Sequence, residues 1–411
     1  MRSTTPPASR KQARILIVDD SAVMRALLRS VVSSDDRLEV AGAAADGASA
    51  LRAMDSLQPD LVLLDVEMPV MDGLQTLKQM RAGRKRVPVI MCSSLTQRGA
   101  KVTIEALASG ASDYVAKPSG QSSREAAIQT LAHDLVPKIL ALTASVTSPQ
   151  EPPPAHVSAF PPAPGHRALF PDSPGFRPVA APAVAFSPTL AASPAVVLIG
   201  VSTGGPAALD VLLPAIPASF PLPVLIVQHM PELFTRLLAE RLNGRCPLRV
   251  CEACAGDPIR PGSIYIARGD WHLEVSAPDH SSAVFPASSP VLRLTQEAPE
   301  NHCRPAADVL FRTGVAVYGA RVLGVVLTGM GYDGLAGSRI IREHGGMVLA
   351  QDQATSAVWG MPGAVAQAGL ANRVLPLPAI APEILRLASR SQREAHDLRE
   401  SGASGIGCVN Q

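Results

Sequence analysis

LIGVSTGGPAAL, residues 198–209, runs an apolar stretch into a glycine-flanked serine, Ser202, then Gly204, Gly205 and Pro206, then Ala, Ala and Leu. The passage reads as a strand passing abruptly into a helix. The apolar residues can bury, the glycines permit a tight turn, and Pro206 suits a first helical turn, where a missing N–H costs nothing. Three uses of the turn are open: a nucleophile's elbow, a phosphate cradle, or a turn and nothing more. Gly-Val-Ser-Thr-Gly at 200–204 fits the GxSxG elbow that lifts a hydroxyl clear of a sheet. A phosphate loop of the GxxxxGK[ST] type would put Lys after the glycines, where Pro and Ala stand, and the third glycine of a dinucleotide fingerprint is missing.

Outward from this stretch the chain extends over 411 residues, which at roughly 150 residues per domain suggests two or three domains. Residues 149–194 carry 13 of the 38 prolines, with Ala, Ser and Gly between them, the composition of a semi-extended linker. Apolar strand-like runs alternate with amphipathic stretches on both sides of it, which predicts two α/β domains with parallel sheets. The boundaries expected are 13–141 for the first domain, 142–192 for the linker, 193–390 for the second domain and 391–411 for a polar, frayed tail. Net charge is +2 with no block of like charges, so no nucleic-acid partner is expected. The six cysteines are scattered, and the CxxC of Cys251 and Cys254 has no second ligand pair at zinc spacing. No signal-like h-region opens the chain and no run reaches the ~18 apolar residues of a membrane span, so a cytoplasmic protein not embedded in a membrane is expected.

In the first domain the strands expected are Arg14–Val18, Leu38–Gly42, Leu61–Leu64, Pro88–Met91 and Tyr114–Ala116. Asp19 and Asp20 close the first and Asp65 the third. In an open parallel sheet, ligands bind outside the carboxyl ends of the strands, so the three carboxylates should share one pocket. Crowded like charges repel; a hard divalent cation such as Mg2+ relieves that repulsion and takes oxygen ligands. Lys117 closes the fifth strand with a positive charge, and Ser93 ends the fourth with a hydroxyl.

LIVDDS, LVLLDVEMPVMDG, MCSS and DYVAKP, in that order, resemble the receiver domain of bacterial two-component response regulators. The resemblance implies a flavodoxin-like fold with Asp65 as phospho-acceptor. It further implies Mg2+ held by Asp20, Asp65 and the backbone carbonyl of Glu67, with Asp19 orienting a metal water, and Ser93 and Lys117 contacting the phosphoryl group. The residue chemistry agrees, since a carboxylate can take a phosphoryl group while metal and lysine neutralise developing charge.

In the second domain a serine hydroxyl needs a base. PVLIVQHMP supplies one: apolar Val224–Val227 runs into Gln228 and His229, and Met230-Pro231 opens an amphipathic helix. His272, His302 and His344 read as loop or helix-end residues. VLGVVLTGMGYDG, residues 322–334, is another buried strand followed by a glycine-rich turn carrying Asp333. Asp333 could orient His229, or cap the helix that follows. The order Ser, His, Asp differs from that of the α/β-hydrolases.

IGVSTGGPAAL, QHMP, RPAADVLF, TGMGYDG and WGMPGAV resemble the catalytic domain of the chemotaxis protein-glutamate methylesterase family, CheB. A receiver joined by a linker to such a Rossmann-like domain is that family's architecture. The resemblance implies a phosphorylation-activated serine hydrolase that removes methyl groups from glutamate γ-methyl esters of chemoreceptors and deamidates receptor glutamines. Ser202, His229 and Asp333 then fall on the catalytic triad, and Thr203 and Met330 beside it, where backbone N–H groups could stabilise an oxyanion. It implies Mg2+ in the receiver, no cofactor for the ester chemistry, a chemotaxis histidine kinase as phosphodonor, and the cytoplasmic helices of methyl-accepting chemoreceptors as substrate. Val201, ARGDWH at 267–272 and NHCRP at 301–305 depart from the family's usual residues. Two other classes stand against this reading: a phosphorylation-gated interaction module with an inactive hydrolase-like domain, and a DNA-binding regulator, for which no helix-turn-helix is evident.

Overall fold

The computed structural model describes residues 12–94, 96–118, 123–147, 193–277 and 289–389. Most of the expected linker, and all of the expected tail, lie outside the described residues.

The first sheet is built by β1 (Ala13–Val18), β2 (Leu38–Ala44), β3 (Leu61–Asp65), β4 (Val89–Ser93) and β5 (Asp113–Ala116). Helices α1 (Ala22–Val32), α2 (Gly47–Leu57), α3 (Gly73–Ala82), α4 (Gln97–Ala108) and α5 (Arg124–Leu142) alternate with them, and a short α6 (Ala144–Thr147) follows. Strand order is β2-β1-β3-β4-β5, all parallel. Helices cover both faces, which is why β1, β3 and β4 read as unbroken apolar runs rather than alternating ones. The helices start where the sequence offers caps: Ser21, Asp46, Asp72, Thr96 and Ser123 each accept a hydrogen bond from a first-turn N–H.

The second unit comprises β6 (Val196–Val201), α7 (Gly205–Leu212), β7 (Val224–Gln228), α8 (Glu232–Asn243), β8 (Arg249–Glu252), β9 (Ser263–Ile266), β10 (His272–Ser276), β11 (Val291–Thr295), α9 (Ala307–Tyr318), β12 (Val322–Val326), α10 (Leu335–Glu343), β13 (Met347–Gln351), α11 (Met361–Gln367) and β14 (Arg373–Leu375). Seven strands form a parallel sheet in the order β14-β13-β12-β6-β7-β9-β8. β10 and β11 pair antiparallel outside it, an element absent from the alternating pattern expected of this half. His272, expected in a loop or at a helix end, instead opens β10; it is buried, with Nε2 against the Ala298 carbonyl at 3.1 Å and Nδ1 accepting from the Ala306 N–H.

The two units touch. α4 packs against α7 and α8, and Tyr114 of β5 stacks on Phe234 of α8 with ring centroids 4.5 Å apart.

Candidate active site and phosphorylation site

β12, β6 and β7 are neighbours in the second sheet, and the turns leaving their carboxyl ends carry Asp333, Ser202 and His229. Chain order scatters these residues over 132 positions; strand order places them side by side, at the edge where open α/β sheets bind ligands. The turns are tied together by backbone bonds, Ser202 N to Thr328 O at 3.0 Å and His229 N to Val201 O at 3.2 Å. Gly204 takes φ of 78°, the left-handed region that lets the strand break directly into α7. Gly329 has to be glycine for a different reason: a Cβ there would lie 2.9 Å from Ser202 Cβ.

His229 Nε2 lies 2.8 Å from Asp333 Oδ2. Asp333 also accepts from the N–H groups of Ala307 (2.6 Å), Asp308 (3.1 Å) and Gly334 (3.0 Å) and from Asn301 Nδ2 (3.0 Å). Two of these N–H groups open α9, where a helix presents unpaired donors and the positive end of its dipole. Asp333 thus sits at the start of α9; the start of α10 is occupied by Gly334, with no side-chain cap. Burial opposes the Asp333 charge, yet the His229 contact and the α9 N–H groups hold its carboxyl below the ordinary value of 3.8. Burial likewise opposes a charged His229, but Asp333 and then Cys303 outweigh it and lift the imidazole to about 10. Behind the pair lies a second buried carboxylate, Asp308. Asn301 Nδ2 bridges it to Asp333, and burial, with the charge of Asp333 adding to it, pushes Asp308 up to about 6.

Among the described residues Ser202 Oγ has no hydrogen bond, and the N–H groups of Thr203 and Met330 have no acceptor. The second nitrogen of His229, Nδ1, is 3.5 Å from Cys303 Sγ. Both ring nitrogens therefore face other partners, and Ser202 is not joined to its candidate base in this arrangement.

Ser202, Thr203, His229, Cys303, Met330 and Asp333 line one cavity of about 850 Å³, and its opposite wall is the first unit: Asp113 and Tyr114 of β5, and His133, Asp134, Pro137 and Lys138 of α5. Thr203 Oγ1 donates to Asp113 Oδ2 at 2.5 Å. Lys138 Nζ donates to the Tyr114 carbonyl and pairs with Asp134, each at 2.8 Å. Nothing in the local sequence marks Asp113, Asn301 or Asp308; their partners lie on other elements.

At the first sheet's carboxyl edge, carboxylate oxygens of Asp19, Asp20 and Asp65 lie within 4.8 Å of one another. Lys117 Nζ is 2.8 Å from Asp19 Oδ2 and 2.7 Å from Asp65 Oδ1. Burial pushes Asp65 up to about 6 against the pull of Lys117. The Glu67 N–H donates to Asp65 Oδ1 at 3.4 Å. Ser93 is not joined to Asp65: its Oγ lies 2.7 Å from Thr103 Oγ1 on α4 and donates to the Ser94 carbonyl.

Comparisons with known proteins give a two-domain match. The CheB methylesterase family pattern matches residues 197–384 and the response regulator receiver domain pattern residues 15–129. A protein-glutamate methylesterase/protein-glutamine glutaminase of Nocardioides sp. is 46% identical over 92% of this chain and 96% of its own length. A protein of the same description from Trichodesmium erythraeum is 45% identical over 91% of this chain and 98% of its own. The crystal structure of the Thermotoga maritima CheB methylesterase catalytic domain is 38% identical, covers 48% of this chain and all of its own, and superposes with a TM-score of 0.45. The chain belongs to the CheB methylesterase family, with a response regulator receiver domain preceding the methylesterase domain.

Proposed function

We propose that the chain is a phosphorylation-gated serine hydrolase that demethylates glutamate γ-methyl esters of chemoreceptors and deamidates receptor glutamines. The receiver spans 13–141, the linker 142–192, the methylesterase domain 193–390 and the tail 391–411. The observation that carries the reading is the shared cavity: Asp333 and His229 pair at 2.8 Å beside Ser202, and the receiver closes that cavity through the Asp113–Thr203 bond.

In the ester step Ser202 Oγ attacks the γ-carbonyl carbon, and its proton passes to His229 Nδ1, the nitrogen turned away from Asp333. The N–H groups of Thr203 and Met330, free of protein acceptors, face the developing oxyanion. Methanol leaves with the proton from His229, and water repeats the sequence on the acyl-enzyme. Asp333 holds the ring and stabilises the imidazolium. For Ser202 to reach Nδ1 as its base, Cys303 has to move off it and the ring has to release the proton that Asp333 and Cys303 favour here.

At the receiver edge Asp65 is the phosphoryl acceptor. The hard oxygen donors of Asp19, Asp20 and Asp65, clustered within 4.8 Å of one another, suit Mg2+. Asp20, Asp65 and the Glu67 carbonyl would hold the ion directly and Asp19 through water; bound there, it neutralises charge on the phosphoryl group. Lys117 stays with Asp65, and Ser93 leaves Thr103 for the phosphoryl oxygens. Thr103 lies on α4, which packs on the second unit, so this exchange reaches the interdomain contact. The partners are a chemotaxis histidine kinase and the cytoplasmic helices of methyl-accepting receptors, and the compartment is the cytoplasm. Among the described residues no helix is long and apolar enough to cross a membrane.

The test is methanol release from methylated receptor membranes with and without a small phosphodonor. Release that increases on phosphorylation supports the reading. No release in either condition would make the second domain an inactive binding module.

A further inference from the structure

Among the described residues there are five cysteines without a disulfide, and they differ sharply in surroundings. Cys92 is fully buried under the first sheet, and burial pushes the thiols of Cys246 and Cys251 above their ordinary value. Cys254 is exposed, and its sulfur donates to the Glu252 carbonyl at 3.9 Å. Cys303 alone has a base beside it. Its Sγ is 3.5 Å from His229 Nδ1, and His229 Nε2 is 2.8 Å from Asp333. A thiol, an imidazole and a carboxylate therefore stand in series. The series is complete as it stands, whereas Ser202 Oγ is bonded to none of it.

The loop that presents Cys303 is clamped on both sides. Asn301 Nδ2 bonds Asp308 and Asp333 at 2.9 and 3.0 Å, and the backbones of Glu300 and Cys303 exchange hydrogen bonds at 3.1 and 2.9 Å. Arg304, next in the chain, is held by Asp270 Oδ1 at 2.6 and 3.1 Å. Asn301 and His302 both adopt positive φ, 53° and 62°, so the loop follows a path that its contacts impose. The thiol is half-buried and opens on the cavity of about 850 Å³. Gln228, 2% exposed, lines the same cavity, and its Oε1 is buried without a partner.

We propose that Cys303 is a covalent modification site: a small soft carbon electrophile entering the cavity alkylates its sulfur with His229 as base, and the adduct blocks ester hydrolysis. The proposal rests on the reading of His229 as the hydrolase's base. With iodoacetamide, Sγ attacks the methylene carbon and the S–C bond forms as the C–I bond breaks. Iodide leaves with the bonding pair, and the thiol proton passes to His229 Nδ1. Hydrolysis stops because the thioether stands where Ser202 must approach Nδ1.

The test uses the full chain with limiting iodoacetamide near neutral pH, the adducts located by peptide mass and methanol release followed in parallel. Cys303 should label on the order of tenfold faster than the exposed Cys254, because His229 Nδ1 at 3.5 Å can take the thiol proton as the sulfur attacks. Activity should fall in step with the Cys303 adduct. Cys303→Ala should lose less than about twofold of its own activity under a dose that removes most of the wild-type activity. Labelling of Cys303 in Asp333→Asn should slow toward the Cys254 rate. Equal or faster labelling of Cys254, or inactivation of Cys303→Ala at the wild-type rate, overturns the proposal. Labelling of Ser202→Ala separates the two readings: fast Cys303 labelling in a variant that still hydrolyses ester removes Ser202 from the reaction and leaves the thiol site standing.

Discussion

Thr203 Oγ1 donates a 2.5 Å hydrogen bond to Asp113 Oδ2, so the residue next to the candidate nucleophile is bonded to the first residue of the receiver's last strand. Both side chains are buried, at 5% and 7% exposed. A bond of this kind, to a charged acceptor out of water, adds to the closed arrangement and has to break before a receptor helix can reach Ser202.

Asp113→Ala should therefore raise methanol release by the unphosphorylated full chain. A hydrogen bond to a charged group contributes roughly 1.5–3 kcal/mol, so its loss shifts the closed-to-open ratio by about tenfold or more. Basal release is the measurement. An Asp113→Ala protein with wild-type basal activity and full phosphodonor stimulation would show that the bond does not hold the cavity shut.

Asp65→Ala should stay at the basal rate at any phosphodonor concentration if Asp65, paired with Lys117 at 2.7 Å, is the phosphoryl acceptor. Chelation of Mg2+ should give the same lack of stimulation in the wild-type chain while leaving basal release in place. Stimulation that survives EDTA would remove the metal from the phosphorylation step.

Ser202→Ala should abolish ester hydrolysis in a protein with unchanged circular dichroism. The hydroxyl makes no hydrogen bond in the closed arrangement and Ala retains the Cβ, so the substitution removes chemistry and almost no packing. Near-normal turnover by a folded Ser202→Ala protein is incompatible with the assignment.

What sequence could reveal about this site followed strand ends. Ser202, His229 and Asp333 were legible because each closes an apolar run, and parallel strands deliver such residues to one edge. The partner of each side chain was legible only in part. Asp333 reads locally as a cap for α10, but the glycine after it takes that position and the carboxylate turns to α9 instead. Asp113 carries no local mark because its partner is ninety residues away on another sheet. Asn301 and Asp308 act through a loop whose shape depends on contacts with Asp333. β10 and β11 were missed because a short antiparallel pair outside the main sheet does not follow the parallel strand–helix alternation expected of this half.

Asp333→Asn should cost on the order of 10⁴ in ester hydrolysis, by analogy with other serine triads, because an amide cannot hold the ring in the tautomer that leaves Nδ1 as acceptor. The same substitution gives a pH test with a definite sign. In the wild-type chain Asp333 and Cys303 lift His229 from 6.5 to about 10, against burial. Stability from this pairing is fully present below pH 6.5, where the unfolded imidazole is also protonated, and is lost as pH rises through about 10. Asp333 has a lowered pKa, so its share is present above 3.8 and is lost as pH falls through the folded value. Removing the carboxylate takes away the largest group raising His229, while burial goes on opposing the charged ring. Nuclear magnetic resonance of the ring should show the Asp333→Asn imidazolium giving up its proton at a lower pH than the wild-type ring does. Unfolding followed at several pH values should show the wild-type advantage over the variant shrinking toward the alkaline side. A His229 titration that Asp333→Asn leaves in place would return Asp333 to the role of a helix cap for α9 and leave the base without its orienting partner.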